Sequence, residues 1–335
     1  MPIHQSSPQP DVFVVGGGVI GRACADYLAK AGTQVLVLDA GHRRSAASLA
    51  AAGLVAPSPQ LTKPSPFATL ALASVQALPA LRDELLAASG IDIRLDVCGA
   101  LRVATSEQQA ASQQKRLPQQ RQLGLELQWL SAEVARKVEP ALPDQVVDAL
   151  YGPCEAQLDA RSLARALRVA AERLGVVTKQ GLVRTLIIQG ITVTGVRTAR
   201  QEFLAEHIVL AAGAWTAHLG IEIPLTPERG QIVQAQAAAP PPRHILFIDQ
   251  LYVAPKRGKN VIIGAVKDNA GLNSQTSLAG VRDLTARIAA AMPQFAGASL
   301  QAVRAGLRPR TPDGVPCIWS TTRLAWYQSC HWARE

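Results

Sequence analysis

Three glycines stand in the spacing G-x-G-x-x-G (Gly16, Gly18 and Gly21), the last of them eighteen positions ahead of an acid, Asp39. That grouping suits one task, holding a dinucleotide. Gly16 permits a sharp turn, Gly18 lets a pyrophosphate approach the backbone, and Gly21 lets a helix pack close to its strand. The helix N-terminus then faces the anion, and Asp39 falls where an acid meets a ribose hydroxyl. The same acid disfavours a 2′-phosphate, which makes NADP the least suitable dinucleotide. A second small-residue turn, Ala211-Ala212-Gly213, follows an apolar run in HIVLAAGAWT. A second glycine turn so far from the first is what a flavin-binding sheet needs, and a domain binding NAD alone lacks it.

These groups need a strand, a helix and a second strand to position them, and the residues supply all three. Val12 to Val15 is an apolar run entering the turn, and Val35 to Leu38 is a second run ending at Asp39. Between them a helical stretch carries Ile20, Ala23, Tyr27 and Leu28 on one side. From Gly41 the chain becomes small and apolar (SAASLAAAGLVAP), which suits a helix start packed closely against a flat ligand.

With 335 residues the chain is long enough for a full core and for two domains. Its 48% hydrophobic and 18% charged residues are ordinary for a globular protein. No apolar stretch is long enough to span a membrane, and MPIHQSSPQP has no signal-peptide core; it reads as a disordered leader on a cytoplasmic protein. Five scattered cysteines without a CxxC argue against a disulfide framework and against a zinc site, so no metal is expected. The net charge of +9 comes from isolated basic pairs such as Arg43-Arg44 and Lys256-Arg257, not from a stripe with interleaved aromatics. Nucleic-acid binding is therefore not expected, and the excess serves solubility or draws in anionic ligands.

Further along, helices are expected over Ala68–Ser89 (apolar stripe Leu70, Leu78, Leu81, Leu85, Leu86), over Gln108–Gly124, over Arg161–Leu174 behind a capping Asp159, and over Leu278–Met292. Ile91 to Thr105 alternates like a strand pair around Gly99, and Tyr151 to Asp159 is loop-like. Leu182–Ile188, Ile191–Arg197 and Glu202–Leu204 read as strands. After Pro224 the runs Gln231–Ala235, Ile245–Phe247, Leu251–Ala254 and Val261–Gly264 read as antiparallel strands, with a last strand at Gln301–Arg304.

Taken in order, VVGGGVIG with Asp39, AAAG at Ala50–Gly53, HIVLAAGAWT, PLTPERGQIV, DQLYVAPKRG, VIIGA and AGLRPRTPDGVP resemble the glycine oxidase and D-amino-acid oxidase family of FAD-dependent oxidoreductases, most nearly its glycine oxidase branch. The resemblance runs from Asp11 to about Ile318. It implies an α/β fold: a Rossmann-type FAD-binding domain (residues 1–79, 146–221 and 305–335) and an α+β substrate domain with an antiparallel sheet (80–145 and 222–304). It also implies non-covalent FAD lined by Gly16, Val19, Ile20, Asp39, Ala40, Ala47, Ser48, Ala52, Gly53, Leu54 and Val183, beside Gly18, Gly21 and Gly213 of the two turns. Arg308, in GLRP, would hold the substrate carboxylate, with Tyr252 over the same pocket. Lys267, near a position lining the family's pocket, bears on substrate choice. The family's members form homo-oligomers.

The implied reaction takes glycine or another small amino acid to its imine, with O2 reduced to H2O2; in the glycine oxidase branch the imine feeds thiamine thiazole synthesis. A D-amino-acid or sarcosine oxidase is the same-class alternative, and an NAD-dependent dehydrogenase is opposed by HIVLAAGAWT and GLRPRTPDG. One departure opens another alternative. The family continues past DGxPxIG into a turn of the type GHxRNG, whereas this chain reads WSTTRLAWYQSCHWARE, with Trp319, Trp326 and Trp332 crowded together and His331 among them. A frameshifted or truncated C-terminus, and with it a catalytically impaired relative, is the expectation from that stretch.

Overall fold

A computed structural model describes residues 10–41, 47–190, 192–221 and 223–318. The N-terminal leader to residue 9 and the divergent stretch from Trp319, with Trp326, His331 and Trp332, lie outside the described residues. The chain opens with β1 (Val12–Val15), α1 (Val19–Lys30), β2 (Val35–Asp39), α2 (Ala47–Ala50), β3 (Leu54–Val55) and α3 (Pro66–Ser89). Then come β4 (Ala100–Ala104), α4 (Glu107–Gln122), β5 (Gln128–Ser131), α5 (Ala132–Val138), β6 (Asp148–Gly152), β7 (Ala156–Gln157) and α6 (Ala160–Arg173). The middle holds β8 (Val177–Gln180), β9 (Val183–Gln189), β10 (Thr192–Thr198), β11 (Glu202–Leu204), β12 (His207–Leu210) and a 3-10 turn over Gly213–Leu219. The remainder is β13 (Thr226–Gln236), β14 (Ile245–Ile248), β15 (Leu251–Pro255), β16 (Asn260–Asp268), α7 (Leu278–Ala291) and β17 (Ser299–Arg310).

Side-chain oxygens set the helix starts. Ser65, Ser106, Asp159 and Ser277 each accept a hydrogen bond from a backbone N–H of the first turn, and Pro66 follows Ser65 at the first helical position. Gly90, at φ 74°, ends α3 in the left-handed conformation.

Two sheets dominate. One is parallel, in the order β12-β1-β2-β8; β1 and β2 are its buried centre and β8 is an exposed edge. The other has eight strands, β17-β13-β16-β15-β14-β4-β6-β5. It is antiparallel throughout except where β14 lies parallel to β4. One face of this large sheet packs on α5 and α7 through Leu101, Val233, Val253, Ile263, Leu284 and Ile288. Strand β6 and the last part of β17 hydrogen-bond in it, although the expected domain limits at 146 and 305 fall before them.

Several expectations need correction. Two positions of the apolar stripe assigned to α1 are misplaced: Ile20 and Tyr27 are 66% and 56% exposed, whereas Ala23 and Leu28 pack inward and the helix buries Gly21, Ala25 and Asp26. Close packing on the parallel sheet favours small side chains there, and Asp26 is paired with Lys30 at 2.5 Å. In α3, Leu70 and Leu86 are likewise exposed. Ile91–Thr105 is one strand, not two, because Arg94 adopts φ 56° and donates its N–H to Asp92, turning the chain before Asp96 forms a single bridge to Gln157. Tyr151 and Gly152 belong to β6, and Ala156–Gln157 form β7. The last strand extends to Arg310 because it follows β13 along its whole length.

Candidate functional site

The glycine turn, the small-residue turn and Asp39 meet at the carboxyl edge of the parallel sheet, the edge at which such sheets receive ligands. There β1 runs beside β12 on one side and β2 on the other, with Val15 opposite both Leu210 and Leu38. Gly16, at φ 107°, lies so close to the second turn that a Cβ would stand 2.4 Å from the Ala211 carbonyl oxygen. A Cβ on Gly21 would stand 1.9 Å from the Gly16 carbonyl oxygen, so neither glycine tolerates a side chain. Gly213 adopts φ 58° at the start of the 3-10 turn.

Asp39 bridges this edge. One carboxylate oxygen accepts the Gly17 N–H at 2.6 Å and the other the Gly41 N–H at 2.7 Å, with Ala40 between. The backbone of Asp39 is tied down as well, its carbonyl accepting the Gly181 N–H at 2.8 Å. Gly18 is the N-cap of α1 and supplies no side-chain cap; Ser48 does so from α2, its hydroxyl accepting the Val19 N–H at 3.0 Å.

These residues fit an FAD diphosphate and ribose. Bare glycines front the start of a twelve-residue helix, a hydroxyl and a carboxylate flank them, and the exposed Ile20 stands at the same end. Val183 is placed differently from the other expected contacts, buried with Phe13, Leu38, Leu186 and Val196 beneath this edge.

The second part of the site is the other face of the eight-stranded sheet. Cross-strand neighbours share a face, and the register aligns Tyr252 with Gly264, Gly264 with Ile232, and Arg308 with Glu228. Tyr252, Ile232, Ala254 and Ile262 pack with Ala52 and Leu54 of the Ala-rich loop, which brings the expected flavin segment onto the expected substrate face. The Tyr252 ring lies over Gly264, where a Cβ would stand 2.2 Å from its hydroxyl. Removal from water pushes the phenol up to about 12, against the pull of the Arg308 charge. The Arg308 guanidinium lies over Gly230, and its Nη1 is 3.7 Å from Glu228, which also faces Arg310 at 3.6 Å. Beside them a cleft of about 210 Å³ is lined by Glu228, Lys267, Asp268 and Arg310.

Strand β13 divides its work by alternation. Glu228, Gly230 and Ile232 serve this face, while Arg229 and Gln231 turn to α7. Arg229 forms a two-pronged pair with Asp268 (2.8 and 2.7 Å), and Gln231 accepts the Ser277 N–H at 2.8 Å. The sequence motif PERGQ therefore holds two sets of residues, and no local signal marks Glu228, because its partners are far away in the chain. Lys256 is equally unmarked in the sequence: its ammonium donates to the carbonyls of Ala52 at 2.9 Å and Leu158 at 3.4 Å.

Over residues 11–333 the chain matches the FAD dependent oxidoreductase family (DAO). It is 34% identical over 314 residues to the glycine oxidase of Geobacillus kaustophilus, covering 92% of this chain and 83% of that protein. A crystal structure of glycine oxidase from the same organism superposes with a TM-score of 0.88, over 92% of this chain and 85% of that one. Glycine oxidase from Bacillus cereus superposes at 0.83 with 27% identity, over 92% and 85%. The bifunctional protein ThiO/ThiG of Trichormus variabilis is 33% identical over 313 residues, which are 92% of this chain and 47% of that protein.

Proposed function

The chain belongs to the DAO family of FAD-dependent oxidoreductases, and on that premise we propose that it oxidises glycine or another small amino acid to the imine. The observation that carries the reading is Arg308 beside Tyr252 on a sheet face covered by the Ala52–Leu54 loop. FAD, held at the glycine turn and the Ala-rich segment, would supply the redox chemistry the side chains lack, with the substrate's Cα hydride as its reductant and O2 as the final oxidant, giving H2O2.

The protein's task is orientation. The planar guanidinium of Arg308 holds the carboxylate by two parallel hydrogen bonds, which fixes the Cα–H bond relative to the flavin. Glu228 occupies that guanidinium and shares its charge until a substrate carboxylate arrives. Tyr252 stays protonated at neutral pH, so its hydroxyl can donate to the same carboxylate. No side chain need remove a proton before the hydride leaves if the amine arrives neutral; the iminium left by hydride loss releases one N–H proton to solvent and becomes the imine. Gly16, Gly18, Val19, Ile20, Gly21, Asp39, Ala40, Ala47, Ser48, Ala52, Gly53, Leu54, Val183 and Gly213 are the proposed FAD contacts. Likeness to ThiO/ThiG supports a role for the imine in thiamine thiazole synthesis. Among the described residues no helix is long and apolar enough to cross a membrane.

The test is the visible spectrum of the purified protein, with flavin counted per chain, followed by anaerobic addition of glycine. The reading expects a yellow protein that bleaches with glycine and recovers with air. A protein that stays colourless in the presence of FAD overturns it.

A further inference from the structure

Lys256 sits in the turn that follows β15, four residues after Tyr252. Its own N–H donates to the Asn260 carbonyl at 2.7 Å, so the turn that carries it is closed. Its ammonium reaches across to the carbonyl of Ala52 at 2.9 Å and that of Leu158 at 3.4 Å. Those two carbonyls belong to segments that already touch. Leu158 donates its N–H to the Gly53 carbonyl at 2.8 Å, and a Cβ added to Gly53, itself at φ 77°, would stand only 2.0 Å from the Leu158 oxygen. One cation therefore joins three stretches: the end of the Tyr252 strand, the Ala-rich loop, and the start of α6. Arg161 fastens the same loop further back, donating to the Leu49 carbonyl at 3.1 Å.

A half-buried ammonium is costly to maintain unless it is hydrogen-bonded and balanced. Burial lowers the affinity of Lys256 for its proton, and the Asp159, Cys98 and Asp96 side chains oppose that loss. An apolar residue of similar length would fill the space without this cost, so the charge is retained for the carbonyls it holds.

We propose that Lys256 is a positioning residue for the flavin: it sets the Ala47–Leu54 loop at a fixed distance from the sheet face that bears Tyr252 and Arg308. The proposal rests on the reading that this loop lines FAD. Loss of the ammonium leaves the sheet intact and frees the loop, so the effect falls on cofactor affinity.

The experiment titrates FAD into apoprotein of the wild type, Lys256→Met and Lys256→Arg, following flavin fluorescence, with thermal unfolding of each apoprotein alongside. Lys256→Met is expected to weaken FAD binding about tenfold, the scale of one charge-assisted hydrogen bond, and Lys256→Arg to recover most of it. The apoproteins are expected to unfold together. Equal FAD affinity in Lys256→Met and wild type overturns the proposal, as does an apoprotein of Lys256→Met that unfolds well below the wild type. A wild type that takes up no FAD overturns the flavin reading itself and the proposal with it.

Discussion

At the edge of the parallel sheet, the glycine turn, Asp39 and Ser48 of the proposed dinucleotide site come from one stretch between Asp11 and Ser48, with backbone from Ala211 to Gly213 closing the far side. On the eight-stranded sheet the groups of the proposed substrate face come from β13, β15, β16 and β17 and are brought together by cross-strand register. The first region offers a ligand backbone and therefore depends on glycines; the second offers side chains and depends on register. A local turn can be damaged by one Cβ. A register-built face is altered by degrees, through whichever charge or ring is changed.

The difference can be broken most severely at Gly21. A Cβ there would lie 1.9 Å from the Gly16 carbonyl oxygen, and Gly21→Ala is expected to cost about 3 kcal/mol or more of stability and to abolish FAD retention. Urea unfolding and flavin content per chain measure both, and a variant that keeps its flavin would show that the edge is less closely packed than described. On the sheet face the strongest change is Arg308→Lys, which replaces a two-pronged clamp by a point charge; it is expected to raise the KM for glycine about 30-fold. The Kd for FAD should stay within about twofold of wild type, since a local change on one region leaves the other untouched.

A smaller effect is expected at Glu228, which stands 3.7 Å from Arg308 and, on the proposed reading, would compete with an incoming carboxylate. Glu228→Gln is expected to lower the KM for glycine about threefold, in keeping with a partly exposed pair; a rise in KM would mean that Glu228 aims the guanidinium more than it occupies it. The smallest effect is in pH dependence. The Tyr252 phenol is raised from its ordinary value of 10.0 to about 12. A folded-state pKa above the unfolded one stabilises fully below pH 10 and fades as pH rises through about 12. The stability gap between wild type and Tyr252→Phe should therefore narrow over that window, while KM shows no limb from Tyr252 below it. Absorbance titration checks the window: the tyrosinate signal that Tyr252→Phe removes should appear only as pH approaches about 12.

The same contrast explains what could be read from the chain. Gly16, Gly18, Gly21 and Asp39 announce themselves because the turn is local and its spacing fixed by the geometry of strand, turn and helix. The strands after Pro224 are legible from alternation, but alternation says nothing about which strand lies beside which; β14 pairing in parallel with β4 is absent from any local pattern. Arg308 and Tyr252 are reached through resemblance to a family, not through spacing. Glu228 and Lys256 stay hidden because a charged residue near a strand end looks like a solvated one until its partner, 80 residues on for Glu228 and 204 residues back for Lys256, is folded against it. The stripe on α1 fails at Ile20 and Tyr27 for a different reason. At a tight helix–sheet contact the buried face is marked by small residues, so Gly21 and Ala25 lie inside and Ile20 and Tyr27 outside.

The placement of β14 next to β4 has a consequence for synthesis. During translation β4, β5 and β6 can pair as soon as residue 152 has emerged, yet the free side of β4 waits for Ile245–Ile248. Until then a strand carrying Leu101 and Val103, both buried in the finished protein, presents an unpaired row of backbone donors and acceptors. Fragments that stop short of residue 245 would keep that edge permanently open, and self-association through β4 is the fate to expect of them.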